Sequence, residues 1–488
     1  MTPSLASNDN DTPSRPSWRR VVDVYFNRRM LALAGLGFAG GLPLLLSSAT
    51  LLAWLSVAGI RPATIGLFSL AVMPYAFKFV VAPLMDRYVP PMLGRRRGWL
   101  LITQTLIMLT LLGMAVIGPN VADRPAPTDN AAMGEAELAE VTIESLLPRE
   151  QVEPAGGAVR DVLAPILGWL GFDAAAGISP HLWLLAAMAL LLATFSAMQD
   201  VVGDAYRTDI LAADEVAAGA AVWVAAYRTA MIITSGGTLM LAPWLGWPGV
   251  YMAMAGLMLV GVAASLLGPE PSGAASRPAS LIEAVYRPVV EFIRRFGWQV
   301  PAVLLVVALF RLPEELARTM RMTLLLQEMN FSETDVGIAE SASIALSILG
   351  AFIGGALVVK LGLIRSLLIF GAAMALTNAG YWLLYELDGG RAMMFTVSLI
   401  DSFALGLVTA GFLGFLMSLC DKRFSAFQFA LLTSLMRIVG AYLGAYSGGL
   451  VEDFGYGPFF LLTVIAGAPA LLLLLLLRGL QQRADATD

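Results

Sequence analysis

The sequence predicts an all-α polytopic membrane protein whose spans form two halves of six. Three observations carry this. Apolar runs of about 20 residues, the length a helix needs to cross a hydrocarbon core, recur along a chain that is 58% hydrophobic and 14% charged, with mean hydropathy +0.75. A polar, proline-containing stretch at 269–299 divides these runs six and six. Arginine and lysine gather on alternate connections, as the positive-inside rule requires. Only helices or closed barrels satisfy their backbone in lipid, and runs this long read as helices.

Twelve spans are expected, at about 30–56, 64–85, 98–118, 181–204, 216–241, 248–268, 300–326, 334–360, 364–386, 391–418, 427–450 and 456–478. Arg19, Arg20, Arg28 and Arg29 precede span one, and Arg87 and Arg95–Arg97 follow span two. Arg277, Arg287, Arg294 and Arg295 lie between six and seven, with Lys360 after eight, Lys422 after ten and Arg478 after twelve. Both termini are therefore expected in the cytoplasm, with the bilayer as the chain's surroundings. The domains read as a polar tail 1–29, a first bundle 30–268, a linker 269–299, a second bundle 300–478 and a tail 479–488. Residues 1–18 have no apolar signal core and read as a disordered tail. Leu281–Phe296 interleaves Leu281, Ile282, Val285, Val289 and Phe292 with Arg287, Arg294 and Arg295, the pattern of a helix lying on the inner leaflet or of a plain linker helix. The insertion 119–180, acidic and rich in Ala, Pro and Gly, is expected on the periplasmic side, disordered or loosely packed, with some of it, Ala132–Leu147, able to form helix.

One Cys (Cys420) and one His (His181) exclude a disulfide framework and make a metal site unexpected. No glycine-rich phosphate loop follows a strand, and no nucleophile–base pair stands out. No catalytic residue, cofactor, metal or nucleic-acid partner is expected, and a monomer is the expected state.

The chemistry lies in charges sunk within the spans. Each costs roughly 2.5–3.5 kcal/mol on insertion scales, so such groups face protein or water and mark functional sites by default. The densest cluster closes span four: Gln199, Asp200, Asp204, Arg207 and Asp209. Asp200 and Asp204 are four apart and share a helix face; a structural salt-bridge knot is the alternative. Lys78 in span two needs an acid from another helix or else snorkels to the interface. Arg228 in span five and Arg437 in span eleven occupy matching places, suited either to an ion pair or to an anionic substrate. Span seven holds Arg311, Glu314, Glu315, Arg318 and Arg321 at spacings that permit internal pairing. Pro313 breaks the helix there, as at many transporter sites. Glu340 and Asp401 read as lone acids, either proton carriers or hydrogen-bonded groups of the bundle. Between spans two and three, Asp86, Arg87, Arg95, Arg96 and Arg97 can pin helix ends in one conformation and release them in another. Small-residue runs such as Gly35–Gly41, Ser235–Gly237 and Gly350–Gly355 read as close-packing faces. Trp54, Trp99, Trp183, Trp244, Trp247, Trp298 and Trp382 are expected to form an interfacial belt.

Asp86-Arg87 with Gly94-Arg95-Arg96-Arg97 resembles the loop-2–3 signature of the major facilitator superfamily, where that loop gates. A narrower resemblance is carried by Gly35–Pro43, Phe77-Lys78-Phe79, Pro83–Tyr88, Gly94–Leu100, Gln199-Asp200 with Asp204-Ala205, Thr208-Asp209, Asn378–Leu384 and Phe424–Leu432. Over about 400 residues the chain resembles the AmpG muropeptide permeases. The resemblance implies the major facilitator fold, an inner-membrane location and import of anhydro-muropeptides for peptidoglycan recycling, driven by the proton gradient. It further implies that Asp200, Asp204 and Lys78 matter for transport. The insertion, the absence of two further helices and the charges of span seven depart from that family's pattern.

On this reading Asp200, Asp204, Lys78, Glu314, Glu340 and Asp401 are candidates for proton coupling. Gln199, Arg228, Arg311, Glu315, Arg318 and Arg321 are candidates for the substrate, a small muropeptide. Asp86, Arg87, Arg95, Arg96, Arg97, Arg207 and Asp209 are candidates for gating. The competing readings are a non-transporting assembly factor on the same fold and a transporter of another cargo, such as an acyl-CoA or a drug.

Overall fold

A computed structural model of the chain describes residues 27–78, 80–81, 85, 88–91, 93–118, 149–169, 178–211, 215–270, 281–421 and 425–485. Every regular element among them is helical. Nine stretches of the described residues are long and apolar enough to cross a membrane. One of these, Ala218–Leu267, is 50 residues long and turns at Gly246, whose φ of 65° suits glycine. It thus supplies two spans. Spans two and seven are interrupted helices, and the whole agrees with the twelve expected.

The first span is α1 (Arg28–Leu46) followed by α2 (Ala49–Val57). Asn27 caps α1 by accepting the Met30 N–H at 3.0 Å. The span breaks at Ser47 and Ser48, whose hydroxyls both donate to the Leu44 carbonyl. The second span starts with α3 (Pro62–Phe68), tightens through a 3₁₀ turn at Ser69–Val72 and continues in the short α4 (Met73–Ala76), with Pro74 at its start. α5 (Arg95–Ile117) is the third span.

The expectation for the insertion is corrected in part. Residues 149–169 form a helix, α6 (Arg149–Trp169), despite Pro154 and Pro165; residues 119–148 lie outside the described ones. α6 packs along α7 (Pro180–Ile210), the fourth span. It covers an apolar crevice lined by Ile166, Leu167, Leu182, Trp183, Leu67 and Phe68. Burial against a neighbour supplies what local propensity withholds.

The fifth and sixth spans are α8 (Val216–Ile232), a π-helical turn at Ile233–Gly237, α9 (Thr238–Leu257) and α10 (Leu259–Leu267). Thr50 of α2 donates its hydroxyl to the Thr234 carbonyl inside that π turn, the kind of side-chain intrusion that deforms a helix ladder. The linker helix α11 spans Leu281–Phe296, the bounds its charge pattern predicts.

The seventh span breaks between α12 (Val300–Leu309) and α13 (Leu312–Thr323), with Pro313 in the first turn of α13, and ends in a second π turn at Leu324–Glu328. α14 (Glu333–Leu361), α15 (Leu363–Glu386), α16 (Arg391–Ser418), α17 (Ser425–Ala445) with α18 (Ser447–Phe454), and α19 (Tyr456–Ile465) with α20 (Ala468–Asp485) complete the second half. Small residues allow close approach here. Gly350 of α14 lies against Phe403 and Gly406 of α16.

The tryptophan belt is corrected as well. Trp54, Trp183 and Trp247 are buried in the core. Trp54 stacks on Trp247 at 6.0 Å and tilts against Tyr251 at 4.8 Å. Burying the whole ring gains more than parking it at an interface. Trp244 and Trp298 remain exposed, as a belt residue should.

Candidate functional site

The two halves meet most tightly at the end of the bundle remote from the termini. Arg61 pairs with Glu452 at 2.6 Å, and the other Glu452 oxygen accepts the Ala63 N–H at 3.0 Å. Ser56 meets Thr323, hydroxyl to hydroxyl, at 3.2 Å. Backbones touch where side chains are absent: a methyl built on Gly66 would fall 2.6 Å from the Ala445 carbonyl oxygen, and one on Gly337 would fall 2.7 Å from the Gly236 oxygen. Deeper in, Ser69 donates to the Ala441 carbonyl at 3.2 Å and Ser434 donates to that of Ala76. The remote end is sealed.

Beneath the seal, Asp200 on α7 stands beside Gly40 of α1 and within electrostatic range of Lys78, Asp204 and Arg437. Asp200 is partly buried and makes no hydrogen bond or ion pair among the described residues. Tyr75 of α4 donates to Ser196 at 2.7 Å one turn above it, and Tyr227 of α8 faces the same group. Arg437 comes from the other half. It is exposed although it lies mid-way along a span, a position tolerable only against water. Lys78, Arg228 and Arg437 form no ion pair among the described residues; Arg228 reaches only the Met231 sulfur, at 4.0 Å. Two cations, Lys78 from the same half and Arg437 from the other, thus lie within electrostatic range of Asp200, and Arg228 stands one residue beyond Tyr227 on α8. Gln199, next along α7, is buried, with its amide nitrogen and oxygen unpartnered among the described residues.

Asp204 diverges from its helix-mate. It is exposed and pairs with Arg207 at 3.2 Å, while the Arg207 guanidinium lies over the Trp223 ring at 5.3 Å. Asp209 bonds Arg96 at 2.8 Å. Arg97 donates to the Ser265 carbonyl at 2.8 Å and lies 3.7 Å from Glu270. Gly94 precedes α5 at φ 76°, a conformation that suits glycine, with the Glu270 carboxylate packed against it. Desolvation lifts the Glu270 carboxyl above its ordinary range, opposed by Arg97. Arg96 and Arg97 therefore tie the start of span three to the ends of spans four and six. Arg95 is placed beside them, half-buried. Asp86 and Arg87 lie outside the described residues.

The second half carries a closed network on α13. Arg311 bonds Glu314 at 2.8 Å, and Arg318 bonds Glu315 and approaches Glu314 at 3.7 Å. The spacing predicts these pairs. It does not reveal the next one, and here an expectation is corrected. Glu340 and Asp401 are not lone acids, because Arg321 bridges them at 3.2 Å and 3.3 Å, from α14 and α16. Glu340 also takes a hydrogen bond from Ser235 of the first half at 3.4 Å. Sequence spacing exposes pairs along one helix, whereas this triad joins three helices. Asn378, donating to the Pro313 carbonyl at 3.1 Å, holds the break in span seven and was also missed.

The arrangement is a half-buried acid with two cations in range below a tightly packed end, with a buried ionic network beside it. The Major Facilitator Superfamily model matches residues 157–445. The anhydromuropeptide permease of Escherichia coli strain K12 is 37% identical over 472 residues, covering 96% of this chain and 84% of the relative. The chain belongs to the anhydromuropeptide permease family of the major facilitator superfamily. It is a multi-pass membrane transporter, and its relatives are transporters rather than enzymes. Residues 29–146 also match the family model described as acetyl-coenzyme A transporter 1. The solved nucleoside transporter NupG superposes with a TM-score of 0.66 at 12% identity, covering 93% of this transporter and 99% of that chain. The inward-facing, unoccupied bacterial homologue of the human lysosomal transporter Spinster superposes with 0.61 at 14%, over 92% and 95% of the two chains. These two likenesses concern the fold alone.

Proposed function

We propose that the transporter imports anhydro-muropeptides across the inner membrane toward the side bearing its termini, by alternating access and at the expense of the proton gradient. The observation that carries this is that Lys78 and the exposed Arg437 of the other half lie within electrostatic range of Asp200 without forming an ion pair among the described residues, with Arg228 nearby on α8. A substrate whose lactyl-peptide arm ends in carboxylates matches such cations, and guanidinium groups bind carboxylates in bidentate fashion. The name of the 37%-identical relative supports the cargo. The bonds at the remote end support a state open toward the termini. Buried carboxylates beside the opening supply groups able to take up and release a proton.

Uptake of labelled anhydro-muropeptide into proteoliposomes, with and without an imposed pH gradient, tests the reading. Accumulation should follow the gradient, and Arg437→Met should raise KM about tenfold, the loss of roughly 1.4 kcal/mol expected for one charge-assisted contact. No uptake by the unaltered protein would end the proposal. The acetyl-coenzyme A transporter match favours a second anionic cargo, an acyl-CoA. Competition between the two ligands separates them. A non-transporting assembly role has no use for open cations in mid-membrane.

A further inference from the structure

The charges of the second half do not balance locally. Arg311 and Arg318 pair with Glu314 and Glu315, with Arg437 of α17 also acting on Glu315, whereas Arg321 alone serves Glu340 and Asp401, so carboxylates exceed guanidiniums by one within that triad. The excess falls on the triad, where a single guanidinium serves two acids and no side chain is more than 14% exposed. Two carboxylates sharing one cation in a dry site do not both stay ionised without cost, and one proton removes the excess.

The hydrogen bonds around Asp401 admit that proton. Thr377 has one hydroxyl hydrogen, yet its Oγ1 lies 2.7 Å from the Met374 carbonyl oxygen and 2.7 Å from Asp401 Oδ1. Both contacts are satisfied at once if Thr377 donates to Met374 and accepts from a protonated Asp401. Asp401 Oδ2 meanwhile faces Arg321 at 3.3 Å and the Tyr381 hydroxyl at 3.5 Å. Glu340 shows the opposite pattern. Both of its contacts, Arg321 and Ser235, can donate to it, as suits an ionised carboxylate. The charged and titratable groups facing Asp401 are Arg321 and Glu314 from α13, Glu340 from α14 and Tyr381 from α15.

We propose that Asp401 carries the proton of the cycle and that Glu340, kept ionised on Arg321, reads its state out to the first half through Ser235. The assignment rests on the proton-coupled reading above. With Asp401 protonated, Arg321 is left to Glu340, and Glu340 holds Ser235 in the π turn at Ile233–Gly237, beside the sealed Gly236–Gly337 contact. π turns inside helices recur at functional sites. When Asp401 gives its Oδ1 proton to water on the terminus side, the new carboxylate competes for Arg321. The Glu340–Ser235 tie then loosens and frees the remote end to open. The proton leaves as hydronium, and no covalent bond other than O–H changes.

Infrared difference spectroscopy of the purified full-length protein, stepped between neutral and alkaline pH, tests this without transport. A protonated-carboxyl C=O stretch should be present at neutral pH. It should vanish in Asp401→Asn, persist in Glu340→Gln and shift in Thr377→Val, which removes the acceptor. Absence of the band, its loss in Glu340→Gln rather than Asp401→Asn, or its indifference to Thr377→Val would each overturn the assignment. If Asp401→Asn fails to fold, the Thr377→Val shift decides alone. In proteoliposomes Asp401→Asn should bring the ratio of uptake with and without the pH gradient to one. If the unaltered protein already shows a ratio of one, the import reading fails while the infrared result still judges Asp401.

Discussion

Adding one methyl group at Gly66 should unseat the remote seal. In the sealed state a Cβ at this position would lie 2.6 Å from the Ala445 carbonyl oxygen and 3.1 Å from the Gly448 nitrogen, all backbone atoms of the opposite half. Backbone cannot rotate aside as a flexible side chain can, so Gly66→Ala forces α3 and the α17–α18 junction apart. Overpacking of this kind costs about 1–3 kcal/mol. The cost is confined to the conformation in which the surfaces touch, so the equilibrium between sealed and opened remote ends should move by roughly 5- to 150-fold. The assay is the distance across the seal. In a Cys420→Ser background, Arg61→Cys and Glu452→Cys carry spin labels, and the distance distribution is compared with and without Gly66→Ala. The short-distance population should fall and a longer one appear. An unchanged distribution would show that the Gly66 contact does not hold the halves together. A loss of folded protein without a second population would show that it serves a fixed interface rather than a moving one.

Three further outcomes follow from the same contacts. Arg321→Met leaves Glu340 without its cation in a buried site and should cost about 3–5 kcal/mol, read as a lower Tm in detergent; Glu340→Gln added to it should restore part of the loss. Arg96 and Asp209, bonded at 2.8 Å with Arg96 the more buried, should show a coupling of about 0.5–3 kcal/mol in a double-mutant cycle of thermal stability, whereas additive effects would deny the tie between spans three and four. Trp54→Ala removes a fully buried ring from the stack with Trp247 and Tyr251 and should lower stability by about 3–5 kcal/mol; a loss under 1 kcal/mol would return Trp54 to the interfacial belt.

What could be read from the chain depended on how local the cause was. The amphipathic helix at Leu281–Phe296 and the break at Pro313 were legible because each is set by neighbours a few residues away. The pairs Arg311–Glu314 and Arg318–Glu315 were legible for the same reason. The helix at Arg149–Trp169 was not. Its two prolines and adjacent glycines argue against it locally, and among the described residues the fit of Gly156 under the Pro180 backbone and the crevice shared with α7 stabilise it. The Glu340–Arg321–Asp401 bridge was hidden because its members are 19 to 80 positions apart and meet only when α13, α14 and α16 pack. Hydropathy likewise misplaced Trp54 and Trp247, since nearness to a span end says nothing about which way the ring turns.

The two halves share a helix plan but treat charge in opposite ways. In the first, Lys78 and Arg228 form no ion pair among the described residues, and Arg437 of the other half lies within electrostatic range of Asp200. In the second, seven charges are drawn into a buried network whose Arg321 triad holds two carboxylates for one guanidinium. A single wet cluster that held both substrate and proton would let either leave alone, because water competes for every contact at high dielectric. Separating them lets the cargo meet exchangeable, solvated cations while the proton sits where its loss is costly and is felt by the packing. The Ser235–Glu340 bond joins the two regions at the level of the π turn. In the proposed cycle, coupling strength therefore depends on that one cross-half contact more than on affinity at either site. Ser235→Ala should then leave Asp401 able to bind its proton, as read by the same infrared band, while weakening gradient-driven accumulation; loss of the band together with accumulation would place the coupling inside the second half instead.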